Sequence, residues 1–134
     1  MYDVGMIISI DIPHPPSCLT KNGRRRTHWR TQQTATKAMR DDTIFLIRCK
    51  LSELSYSEEE FPWKKAHIKV HQDYANTGLD YDGLASAVAP AIDAFIDTGI
   101  IQDDSPRHIE SYSMTANKVA HRTDNRIEVT ISKA

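Results

Sequence analysis

Apolar residues recur along this chain with two alternating periods. Ile8, Ile10 and Ile12 alternate with Ser9 and Asp11, the two-residue period of a half-buried strand. Pro13, Pro15 and Pro16 end that strand, because proline offers no N–H to a sheet ladder. Ala35, Ala38, Met39, Phe45, Leu46 and Cys49 then return roughly at helical spacing, which predicts an amphipathic helix from Thr31 to about Leu51 with a charged outer face. The polar stretch from Ser52 to Pro62, with Glu58, Glu59 and Glu60, reads as a solvated connection without a chemical role.

A second strand follows, where Ala66, Ile68 and Val70 alternate with His67, Lys69 and His71. Leu84, Val88, Ala91, Ile92, Phe95 and Ile96 form one face of a second helix, which Gly99 stops as a left-handed cap residue. Pro90 lies inside it, so a kink or an irregular first turn is expected. A third strand is predicted from about His108 to Ala116, and Ile127, Val129 and Ile131 mark a fourth after the turn Thr123-Asp124-Asn125. The order strand, helix, strand, helix, strand, strand contains no repeat or linker. It predicts one α/β domain over residues 1–134, with a mixed four-stranded sheet and two main helices.

A chain of 134 residues can bury a core without disulfides or a structural metal. Its 17 basic and 18 acidic residues nearly balance, so any affinity for nucleic acid must come from local clustering. Cys18 and Cys49 lack metal-ligand or redox spacing, and Cys49 reads as a small apolar residue of the first helix. No apolar run reaches membrane-spanning length, and the N-terminus lacks a charged segment leading into an apolar signal core. A reducing cytoplasm is the expected location.

Candidate chemistry lies at the two ends of the second helix. Asp80 and Asp82 stand before it in Gly78-Leu-Asp-Tyr-Asp-Gly83, and Asp103 and Asp104 follow it. Aspartates are common in turns and caps, yet two or three that converge would suit a hard divalent cation such as Mg²⁺ at a phosphoryl-transfer site. A second cluster, Lys21, Arg24, Arg25, Arg26, His28 and Arg30 beside Trp29, is of the kind that contacts nucleic-acid phosphates, or else a solvated loop with Trp29 packed on the first helix. His67 and His71 would lie on one strand face about 13 Å apart, too far for one ion. Nucleophile-elbow, phosphate-loop and zinc-pair signatures are absent.

Taken in order, the early strand ending in Pro15-Pro16-Ser17, the Asn22-Gly-Arg-rich loop, the Asp80-x-Asp82 pair, and Asp93-Ala-Phe95 leading through Gly99 to Asp103-Asp104 resemble the RusA family of Holliday junction resolvases of bacteria, phages and prophages. The resemblance spans nearly the whole chain. It implies a homodimeric, Mg²⁺-dependent (or Mn²⁺-dependent) endonuclease that cuts branched DNA in recombination and repair. Asp80, Asp82 and Asp104 would be the catalytic metal ligands. The chain departs from the family at Gly83, where asparagine is usual, and at the catalytic lysine: counting forward from Asp82 reaches Ser86, and counting back from Asp93 reaches Ala89. Lys64, Lys65, Lys69 and Arg107 are the candidate substitutes for that charge. The alternative implied is a junction-binding protein that has lost efficient cleavage with the lysine.

Overall fold

The computed structural model describes residues 6–12 and 28–134. Strands β1 (Ile7–Ile12), β2 (Ala66–Tyr74), β3 (Ile109–Lys118) and β4 (Arg126–Lys133) form one sheet in the order β1-β4-β2-β3. β4 is antiparallel to both β1 and β2, whereas β2 and β3 are parallel. A parallel pair needs a long crossover. The helix α2 (Tyr81–Asp97) supplies it, after the longer α1 (Trp29–Leu54). The mixed α/β domain predicted from the hydrophobic periods is the one observed.

The strand periods place the core. Ile8, Ile10 and Ile12, Ala66, Ile68 and Val70, and Ile127, Val129 and Ile131 are all buried on one face. The helices cover that face: Leu84, Val88, Ala91, Ile92 and Phe95 of α2 and Met39 and Ile47 of α1 join the same cluster. The other face is polar. There the register sets His67 beside Ser111 and Ser132, Lys69 beside Ser113 and Thr130, and His71 beside Thr115 and Glu128.

Two sequence expectations need correction. The buried face of α1 runs through Met39, Thr43 and Ile47, while Phe45 is 68% exposed and Cys49 is exposed as well. Thr43 can be buried because its hydroxyl donates to the Met39 carbonyl at 2.7 Å, which satisfies it within the helix. The connection after α1 is not wholly solvated: Tyr56 and Phe61 pack on the core, with Phe61 against the buried Trp63. Pro90 lies in the interior of α2, which continues past it to Asp97. Its ring nitrogen cannot donate to the Ser86 carbonyl, and the residue is buried among the apolar side chains of that face.

Candidate acidic site

The start of α2 is built by a buried glutamine. Gln72 occupies a core position of β2 and is 4% exposed. Its amide donates to the Leu79 carbonyl at 2.7 Å and accepts the Leu79 N–H at 3.1 Å, as a neighbouring strand would. This clamp holds the loop directly before Asp80. Gly78 is fixed by the same packing, since a Cβ there would lie 2.9 Å from the Tyr74 ring and 3.2 Å from the Gln72 side-chain oxygen.

Asp80 is the N-cap residue of α2, and its Oδ1 accepts the Gly83 N–H at 2.6 Å. The departure at Gly83 acquires a local reason here. A Cβ at residue 83 would lie 2.8 Å from Asp80 Oδ1, so any side chain there pushes the carboxylate off its cap. Asp82 stands in the first turn, where the helix dipole favours a negative charge. Asp80 also borders an open cleft of about 500 Å³ together with Tyr74, Asn76 and Tyr81.

The other end of α2 closes in a Schellman motif: Gly99 has φ 81°, its N–H reaches the Ile96 carbonyl at 3.0 Å, and Ile100 N–H reaches the Phe95 carbonyl at 3.1 Å. Ile100 and Ile101 are buried, and Trp63 N–H donates to the Ile100 carbonyl at 2.8 Å. The chain thus emerges from a buried anchor straight into Asp103 and Asp104, both exposed. The Asp104 N–H donates to Asp103 Oδ1 at 2.8 Å, and this bond holds the Asp103 carboxyl below its usual range.

The charge of Asp104 is felt on neighbours that the sequence motifs did not single out as site residues. Burial first, and then the Asp104 and Asp97 charges, raise the Asp93 carboxyl, against the opposing pull of Arg40. Burial and Asp104 likewise raise the Tyr112 hydroxyl. Arg40 of α1 binds Asp97 through two guanidinium nitrogens, Nη2 to Oδ1 at 2.6 Å, and this pairing lowers Asp97. Tyr112 was legible only through the β2–β3 register, which sets it beside Ile68 on the helix-covered face. Asp93 was visible as a carboxylate interrupting the apolar run of α2.

Asp82 and Asp93 lie on one face of α2, three turns and about 16 Å apart. Asp80 and Asp82 therefore share one helix start, and Asp104 lies within electrostatic reach of Asp93 and Tyr112. Among the described residues, no group of three or more His, Cys, Asp or Glu side chains is placed to hold one ion. Ser86 and Ala89, the two counts for the family lysine, occupy the face between Asp82 and Asp93. Of the candidate substitutes, Lys64 and Lys65 precede β2, Lys69 projects from the sheet face away from the helices, and Arg107 follows Asp104 in an exposed turn.

Of the basic cluster, Lys21, Arg24, Arg25 and Arg26 lie outside the described residues. His28 caps α1, its Nδ1 accepting the Arg30 N–H at 3.2 Å, and stacks on Trp29, which is 55% exposed. The Arg30 guanidinium lies 5.4 Å from the centre of the Trp29 ring. Trp29 therefore presents its ring to solvent between the His28 imidazole and the Arg30 guanidinium. No helix among the described residues is long and apolar enough to cross a membrane. The chain matches no protein-family model and no curated protein.

Proposed function

We propose that this chain is a RusA-like, metal-dependent endonuclease that hydrolyses DNA phosphodiesters at four-way or other branched junctions. The observation that carries this reading is the order of acidic motifs around α2: Asp80 and Asp82 at its start, then Asp104 just beyond the buried anchor Ile100-Ile101. Carboxylates are the donors that Mg²⁺ takes, and an oxygen used in a cap retains lone pairs for a cation, so the donor chemistry of Asp80, Asp82 and Asp104 fits the ion. Bound there, Mg²⁺ or Mn²⁺ would supply Lewis-acid polarisation of the phosphate and a more acidic water. In this proposal the carboxylates that would serve metal ions are those of Asp80 and Asp82 at the start of α2 and of Asp104 beyond its end. A homodimer would present two such sites to the two symmetric strands of a junction.

A second reading shares the fold and the DNA target but lacks efficient cleavage. It is favoured by the face of α2 between Asp82 and Asp93, where Ser86 and Ala89 offer no cation to the scissile phosphate. One experiment separates the two. Asp82→Asn and Asp104→Asn should each abolish Mg²⁺-dependent junction cleavage, while junction affinity stays equal or rises because a charge that repels phosphate has been removed. Ala89→Lys should raise the cleavage rate. Cleavage surviving both asparagine variants would exclude this site, and wild-type binding without cleavage under Mg²⁺ or Mn²⁺ would select the second reading.

A further inference from the structure

At the end of the sheet where β2 and β3 begin and β4 finishes, a cleft of about 850 Å³ is lined by Lys64, Lys65, His67 and Lys133, with Trp63 also in its wall. Three lysines in one cleft is a strong local departure for a chain whose formal net charge is −1. Two carboxylates, Glu60 and Glu110, also border it. Lys65 Nζ pairs with Glu110 at 3.0 Å, and among the lining side chains the lysines outnumber the carboxylates by one, with the main-chain end at Ala134 also in the wall. Both of those side chains are half exposed, and an exposed pair of this kind gives way readily to a competing anion.

The donors extend beyond the lysines. His67 Nδ1 is 2.6 Å from Ser111 Oγ, which fixes the imidazole at the cleft edge. Trp63 is 1% exposed, and its indole Nε1–H has no hydrogen-bond partner among the described residues. A buried donor without an acceptor costs stability unless something supplies one. The track continues along β2 on the helix-free face, where His67, Lys69 and His71 follow one another about 6.7 Å apart, flanked by the Ser111, Ser113 and Thr115 hydroxyls. The cleft also adjoins the acidic loop. His108 Nδ1 is 3.3 Å from the Lys64 carbonyl, and the His108 N–H donates to the Ser105 carbonyl at 2.9 Å, next to Asp104.

We infer that the Lys64–Lys65–Lys133 cleft is a phosphate-binding site that holds the backbone of a nucleic-acid strand beside the Asp103–Asp104 loop. The nucleic-acid source rests on the function proposed above. The phosphate chemistry rests on the cleft alone. Lysine ammoniums contribute point charges, and serine, threonine and histidine donors bind phosphate oxygens without reading sequence.

The test uses the full chain and the variant Lys64→Gln/Lys65→Gln/Lys133→Gln, whose three lysines are exposed. Binding to a four-way DNA junction is followed by fluorescence anisotropy across a salt series. In parallel, inorganic pyrophosphate is titrated while Trp63 fluorescence is read in a Trp29→Phe background. The triple variant should bind junction DNA at least about tenfold more weakly, with a log–log salt slope shallower by about 0.9 for each phosphate that the lysines no longer neutralise. Pyrophosphate should change Trp63 emission in the Trp29→Phe protein but not when the three lysines are also replaced. A DNA slope unchanged in the triple variant, together with a silent Trp63, overturns the inference while leaving the proposed function standing. A Trp63 response without DNA binding keeps the cleft as a site for free phosphate and removes the nucleic-acid reading. DNA binding with an unchanged slope and a lysine-dependent Trp63 response assigns the cleft to free phosphate and overturns the strand assignment.

Discussion

At the scale of single residues, Gly83 and Asp80 form a coupled pair. Replacing Gly83 by alanine improves helix propensity by about 0.5–1 kcal/mol. In this chain the new Cβ also evicts the Asp80 carboxylate from the cap, which costs about 1 kcal/mol. Gly83→Ala should therefore leave stability within about 1 kcal/mol of wild type, whereas the same change made in Asp80→Ala should be stabilising. Equal effects in the two backgrounds, measured by urea unfolding, would show that the cap and the glycine are independent. Asp93 gives a second test. Its folded-state carboxyl is raised, chiefly by burial, so the folded form holds its proton more tightly than the unfolded chain does. The sign follows from linkage: the penalty is absent below the unfolded carboxylate value, near 3.9, and is incurred as pH rises through the raised folded value. Asp93→Asn should raise Tm at pH 7 and lose that advantage near pH 3.

At the scale of elements, α2 is set by contacts from outside it. Gln72 of β2 fixes the loop that leads into it, and the Gly99 Schellman motif with Ile100 fixes the way out. Gln72→Leu keeps the volume roughly but leaves the Leu79 N–H and carbonyl unpaired in a half-buried loop. It should cost about 1–3 kcal/mol. Hydrogen exchange at the Leu79 amide should accelerate with it, more than at β4 amides far from the loop. Uniform acceleration across the sheet would mean that Gln72 contributes only to global stability. α1 behaves differently. Its long exposed face carries Phe45 and Cys49, and its tie to α2 includes the Arg40–Asp97 pair, which lowers Asp97. That pair's contribution is present above the unfolded carboxylate value and fades as pH falls through the lowered folded one.

At the scale of the whole molecule, the sheet divides the protein into a helix-covered face and a polar one. The parallel β2–β3 pair brings the end of α2, the Asp103–Asp104 loop and the start of β2 to the same end of the sheet. The lysine cleft opens there as well. A strand of DNA held by those lysines would pass beside the Asp103–Asp104 loop, whereas Asp80 and Asp82 stand at the other end of α2.

The order of elements, the mixed α/β class and most of the core are legible in the hydrophobic pattern, because strand and helix periods are local properties that each stretch carries whatever surrounds it. The sequence also showed Asp80, Asp82 and Asp104 as acidic residues bracketing one helix. It misphased α1, since a threonine that satisfies its own hydroxyl on the preceding turn can take a core position that composition alone assigns to Phe45 or Cys49. The remaining features arise from folding. The Gln72 clamp, the collision that Gly83 avoids with Asp80, the electrostatic reach of Asp104 to Asp93 and Tyr112, and the gathering of Lys64 and Lys65 with Lys133 all join residues across turns or strands. Such contacts depend on register and crossover geometry, which no local pattern of hydrophobic and polar positions encodes.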